Sequence, residues 1–142
     1  MIDNVGVDER VVRMVESHLK ELPILNFIGL EFVWLERGKA ISRVRIDPAR
    51  HRNPNGVLNG CVLTAMADTT TGFAAYTCGH RVCTVSDENQ YLRSGKLDGE
   101  ITCTAQVVKE GKTLIWTEAR ICDDTGTLIM KGEYLYYRLG DL

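Results

Sequence analysis

The stretch GCVLTAMADTTTGFAAYTC, residues 60–78, is the strongest constraint on how this chain folds. It is long, rich in alanine and apolar on nearly every side. Its length predicts a helix of about 28 Å at roughly 1.5 Å per residue. A helix that is apolar all round has to be buried. Its length and its threonines argue against a membrane span, which needs about 20 mostly apolar residues. With 142 residues in all, the chain forms one domain and is too short for a cofactor domain beside a substrate domain. Only a sheet that curls around the helix can bury it in so short a chain.

The rest of the sequence supplies that sheet. Residues 8–22 read as an N-terminal helix, with an apolar stripe at Val11, Met14, Val15, Leu19 and Leu22. Asp8 is its candidate N-cap, and Pro23 stops it. Residues 24–47 suggest a hairpin turning at Glu36-Arg37-Gly38-Lys39. In its first arm Leu30, Phe32 and Trp34 alternate with Glu31, Val33 and Leu35; in its second, Val44 and Ile46 alternate with Arg43, Arg45 and Asp47. Pro48 to Gly56 reads as a loop. Residues 82–92, 100–109, 113–122 and 127–138 are four further strands, joined by turns rich in Gly, Asp and Lys. The fold class expected is α+β, a single domain over residues 1–142.

Composition removes several function classes. Seventeen Lys and Arg against nineteen Asp and Glu leave a net charge of −2, without the positive field of a dedicated nucleic-acid binder. Five cysteines, Cys61, Cys78, Cys83, Cys103 and Cys122, form no C-x-x-C pair. An odd count without that pair argues against a disulfide framework and for reduced, mostly buried thiols. The three histidines show no zinc-ligand spacing. The start, MIDNVGVDER, has no apolar signal-peptide region, so a cytoplasmic protein without membrane attachment is expected.

Asp68 is the only charged side chain between Arg52 and His80, and it falls in the middle of the helix expected to be buried. A buried carboxylate needs hydrogen bonds, a partner or a water-lined pocket. It is therefore either a base or nucleophile, or a structural acceptor for Thr64, Thr71 or a sheet arginine. The helix start, Asn59-Gly60-Cys61, offers free backbone N–H groups at a positive dipole end. Gly60 permits close approach of a carbonyl oxygen, as in an oxyanion hole; Asn59 also reads as a plain N-cap. Eight residues separate Gly60 from Asp68, about 12 Å along one helix. A two-fold dimer would bring the helix start of one subunit to the helix middle of the other.

The segment HRNPNGVLNGCVLTAMADTTTGFAAY, with the later VSDENQYLR and Gly95, resembles the hotdog-fold acyl-CoA thioesterases. The likeness is to the phenylacetate-degradation (PaaI-like) branch of the 4-hydroxybenzoyl-CoA thioesterase superfamily. It covers roughly residues 25–138. It implies one long helix wrapped by a curved antiparallel sheet, and an obligate homodimer, often paired again as a tetramer. It implies hydrolysis of an acyl-CoA, aromatic or of short to medium chain, with CoA as part of the substrate and no metal or redox cofactor. In this resemblance Asp68 is the base or nucleophile and the Gly60 N–H polarises the thioester carbonyl. Asn53 positions water or carbonyl, and Ser86 sits beside the carboxylate. The family's usual histidine is Asn59 here and its second glycine is Cys61, which is expected to be a small buried residue. Arg93, Ser94, Lys112 and Cys61 are the candidate contacts to CoA, with Arg50, Arg52, Lys96 and Lys109 also near loops; each cation reads equally as a solvated surface charge. Phe73, Tyr76 and Met66 either shape the acyl pocket or belong to the core. The competing reading is a non-catalytic acyl-CoA-binding or regulatory hotdog dimer, for which the loss of the histidine is the main support. A dehydratase would pair a histidine with its carboxylate, and His51 lies on the wrong side of Asn53 for that.

Overall fold

A computed structural model describes residues 1–142. The elements run β1 (Asp3–Val5), α1 (Glu9–Glu21), α2 (Pro23–Ile28), β2 (Leu30–Glu36), β3 (Lys39–Arg45), α3 (Pro48–His51), α4 (Gly60–Tyr76), β4 (His80–Tyr91), β5 (Glu100–Glu110), β6 (Leu114–Asp123) and β7 (Leu128–Asp141). One seven-stranded sheet has the order β1-β2-β3-β5-β6-β7-β4. Every pair is antiparallel except β1 with β2, which is parallel.

Helix α4 lies in the concave face and packs against every strand from β2 to β7. Val62, Leu63, Met66, Ala67, Thr70, Phe73 and Ala74 are buried there. Its buried hydroxyls are satisfied locally: Thr70 donates to the Met66 carbonyl at 2.6 Å and Thr71 to the Ala67 carbonyl at 2.8 Å. This i−4 pattern lets threonine enter a buried helix without an orphaned donor.

The helix is not buried on all sides. Thr64, Ala65, Asp68, Thr69, Gly72 and Tyr76 are half-buried, and Cys61 is exposed. Their spacing (i, i+3, i+4, i+7, i+8, i+11, i+15) makes one stripe down the helix. The expectation of a small buried residue at Cys61 is therefore corrected. So is that of mostly buried thiols: all five cysteines are free, but only Cys103 is buried and Cys83 is also exposed. Burial pushes the Cys103 thiol up to about 12.

Three short elements, β1, α2 and α3, add to those expected. Pro23 ends α1 as expected, but it is also the first residue of α2, where its missing N–H costs nothing. Gly29 closes α2 at φ 67°, a left-handed conformation that glycine adopts freely. Residues 48–51, expected as loop, form the single turn α3, capped by Asp47, whose side chain accepts from the Ala49 N–H at 2.9 Å. In β2 a bulge between Phe32 and Trp34 breaks the expected alternation. Leu35 turns into the core with no exposure while Trp34 stays half-buried, because one extra residue reverses the facing of everything after it.

A polar cluster closes the sheet beyond the C-terminal end of α4. His80 Nε2 lies 2.7 Å from Glu110 Oε1 and Nδ1 3.1 Å from Asp141 Oδ1. Arg37 makes a bidentate pair with Glu110, and Arg138 pairs with Asp141. No helix is long and apolar enough to cross a membrane.

Candidate active site

Asp68 stands mid-helix on the half-buried stripe, not deep in the core as expected. Its Oδ1 accepts from the Thr84 hydroxyl at 2.7 Å and lies 3.2 Å from the Tyr136 hydroxyl. Its Oδ2 accepts no hydrogen bond within the chain. Tyr136 also sits 2.6 Å from the Asp68 main-chain carbonyl and 2.8 Å from Thr71 Oγ1. Burial and then the Asp68 charge push the Tyr136 phenol well up, so it stays a protonated donor. Neither Thr64 nor Thr71 donates to the carboxylate, as the structural alternative would require. Thr71 bonds main-chain carbonyls, and Thr64 pairs with the Tyr91 hydroxyl. No sheet arginine reaches Asp68 either.

A groove of about 160 Å³ opens beside the carboxylate, lined by Asp68, Gly72, Phe73, Tyr76, Thr84 and Tyr136 among others. Phe73 and Tyr76 thus border it, whereas Met66 is wholly core, at 0% exposure.

Ser86 is not beside the carboxylate within this chain. A bulge falls between Thr84 and Ser86 in the pairing of β4 with β7. Thr84 points to the helix; Ser86 pairs with Leu135 and borders a depression with Trp116 on the outer face. Beyond the bulge the inner positions pass to Asn89, which accepts from the buried Tyr134 hydroxyl at 2.8 Å, and to Tyr91. Thr84 and Tyr136 were missed. Thr84 shares its strand parity with Ser86, and nothing in the sequence marks the bulge.

The start of α4 forms a second groove, of about 390 Å³, lined by Asn53, Val57, Gly60, Tyr91, Arg93 and Ser94 among others. Four of the expected site residues, Asn53, Gly60, Arg93 and Ser94, therefore meet. Gly60 is the first helical residue and its N–H has no partner within the chain. A Cβ there would stand 3.3 Å from Tyr91 Cε1, so the Tyr91 ring, not backbone strain, favours glycine. The Asn53 side-chain oxygen accepts from the N–H groups of Asn55 and Val57 at 2.9 and 3.1 Å, which leaves its NH2 as the free end. Asn59 caps the helix, its side-chain oxygen accepting from the Cys61 N–H at 3.0 Å. Lys112 lies exposed in the β5–β6 turn and borders neither groove. No three His, Cys, Asp or Glu side chains are grouped so as to hold a metal ion.

One chain thus carries a carboxylate in one groove and an open helix N-terminus in another. A long helix in a curled antiparallel sheet, with this pair of features, defines a hotdog thioesterase. The model of the thioesterase superfamily matches residues 55–130. The chain is 32% identical over 100 residues to acyl-coenzyme A thioesterase 13 of Homo sapiens, covering 68% of this chain and 71% of that one. It superposes on the PaaI protein of the E. coli phenylacetic acid degradation operon with a TM-score of 0.87 and 18% identity, covering 96% and 98%. It superposes on a hypothetical thioesterase of Streptococcus pneumoniae, solved with coenzyme A, with a TM-score of 0.75 and 21% identity, covering 79% and 90%. The chain belongs to the thioesterase superfamily and is a thioester hydrolase of its acyl-CoA thioesterase group.

Proposed function

We propose that this enzyme hydrolyses an acyl-CoA to the free acid and CoA, at a site shared by two subunits. The observation that carries the reading is Asp68: a carboxylate with one oxygen held by Thr84 and the other free, at the wall of an open groove. In this reading Asp68 takes a proton from a water, and the water oxygen attacks the thioester carbon. The carbonyl oxygen gains negative charge, and the Gly60 N–H of the other subunit stabilises it. Collapse breaks the C–S bond, and the proton goes to the CoA thiolate. That thiolate is a good leaving group, so no strong general acid is needed. Direct attack by Oδ2, through a mixed anhydride, is the other route open to this carboxylate. Asn53 supplies its free NH2 to the carbonyl or the water.

The pneumococcal thioesterase has been solved with an aspartate replaced by alanine, and separately with a threonine sixteen positions later so replaced. Asp68 and Thr84 stand at the same separation here, which supports Thr84 rather than Ser86 as the hydroxyl partner. CoA is taken as substrate, its phosphates meeting Arg93 and Ser94 at the mouth of the helix-start groove. Asn59 acts as a cap and moves no proton.

Two open surfaces support a dimer. Strand β4 is twelve residues long and forms a free edge of the sheet, a row of open donors and acceptors that pairing would close. The half-buried stripe of α4 lies alongside it. Pairing β4 with its two-fold mate would cover both and bring Gly60 of one subunit toward Asp68 of the other.

The test is release of free CoA from a panel of short, medium and aromatic acyl-CoA thioesters, with wild type and Asp68→Ala. The substitution is expected to lower kcat at least about 100-fold, the scale of losing a base. Unchanged turnover would overturn the mechanism.

A further inference from the structure

His51 is one of the most buried side chains in the molecule, at 2% exposure, and the chemistry above does not use it. Its Nδ1 accepts from the Asp47 N–H at 3.0 Å. An accepting Nδ1 carries no proton, so the proton of the neutral ring is on Nε2. Nε2 has no hydrogen-bond partner; the main-chain carbonyl of Ile28 faces the ring from α2. Desolvation holds the imidazole below its ordinary value, opposed by the Asp47 charge and aided by Arg50. A proton on Nδ1 would set one donor against another.

The main chain of His51 leads to the site. Its carbonyl accepts from the Asn59 N–H at 2.8 Å, and Asn59 immediately precedes Gly60 and caps α4. The ring therefore ties down the turn whose carbonyl ties down the residue before the oxyanion donor. A buried polar ring left with one donor unmet is costly, and an apolar side chain would fill the space more cheaply. Its acceptor is what an apolar residue could not supply.

We propose that His51 is a positioning residue for thioester hydrolysis: the neutral Nε2–H ring anchors the Asp47–His51 turn, which fixes Asn59 and so aims the Gly60 N–H. This rests on the reading of Gly60 as the oxyanion donor. Misplacement of such a donor by about 1 Å can cost on the order of 100-fold in rate, and it acts on the transition state more than on substrate binding.

The test compares kcat and KM for acyl-CoA hydrolysis in wild type, His51→Asn and His51→Leu, with exchange of the Asn59 amide followed by NMR. Asparagine places an oxygen near the Nδ1 position and is expected to keep kcat within about 3-fold. Leucine fills the space without an acceptor; kcat is expected to fall at least about 10-fold with KM within about 2-fold, and Asn59 exchange to quicken. If His51→Leu does not fold, His51→Gln, whose oxygen lies one bond too far out, is expected to show the same split. Wild-type kcat in the folded variant that lacks the acceptor, or equal losses in His51→Asn, would overturn the proposal. Asp68→Ala is measured alongside: full activity there defeats the Asp68 mechanism on which the proposed function rests, whereas its loss with full kcat in His51→Leu defeats only the role of His51.

Discussion

The Thr84 hydroxyl donates to Asp68 Oδ1 at 2.7 Å from the last residue of β4 before the strand bulges. That one contact ties the edge strand to the middle of the central helix. It also leaves Oδ2 as the oxygen free to meet water or substrate. Hydrogen bonds to charged groups contribute about 1.5–3 kcal/mol. Thr84→Val is therefore expected to lower kcat by about 10–100-fold, and Thr84→Ser to stay near wild type. Ser86→Ala, on the outer face, is expected to leave kcat unchanged. Steady-state kinetics on the three variants decides between the two hydroxyls.

Gly60 tests the close approach at the helix start. An alanine Cβ would stand 3.3 Å from Tyr91 Cε1, so the ring has to give by a few tenths of an ångström. Gly60→Ala is expected to lower kcat several-fold by displacing the ring or the donor. Gly60→Ala with Tyr91→Ala is expected to recover part of the loss. Loss that is unchanged in the double variant would show that Tyr91 is not the obstacle.

The bulge in β2 makes an unequal pair of neighbours. Leu35 has no exposure and Trp34 is half-buried. Leu35→Ala is expected to destabilise by about 2–5 kcal/mol through lost burial and a cavity. Trp34→Ala is expected to cost less, although it removes the larger side chain. Urea denaturation of both variants measures the order directly.

The cluster around His80 predicts acid sensitivity. Glu110 is held below its ordinary value first by its hydrogen bond to His80, and Asp141 likewise. A carboxylate lowered on folding adds stability above its unfolded value, and that stability fades as pH falls through the folded one. The affected window lies below about pH 4.5, the ordinary value of Glu110. Wild type is expected to lose Tm more steeply across that window than His80→Gln, whose partners are less depressed. Parallel Tm curves would contradict the cluster's role.

The legibility of the sequence followed the reach of each signal. Helix α4, the N-terminal helix and the four C-terminal strands were read to within about three residues, because 3.6- and 2-residue periodicities are local. Asp68, Gly60 and the Asn59 cap were visible because a lone charge and a glycine at a helix start are local anomalies. Thr84, Tyr136 and the facing of Leu35 were not. Each depends on a bulge or a cross-strand neighbour, and a bulge is fixed by pairing between distant segments. The exposure of Cys61 is hidden for a related reason: an apolar helix shows how much must be covered but not which of its faces stays open.

The central claim is that one site needs two chains, since Gly60 and Asp68 open into separate grooves. The direct measurement mixes two inactive variants, Asp68→Asn and Gly60→Val, each folded by circular dichroism, after joint refolding. A mixed dimer joins the intact Asp68 of one chain to the intact Gly60 of the other. Random pairing then restores about a quarter of the wild-type thioesterase activity. A mixture no more active than its separate components would contradict the shared site.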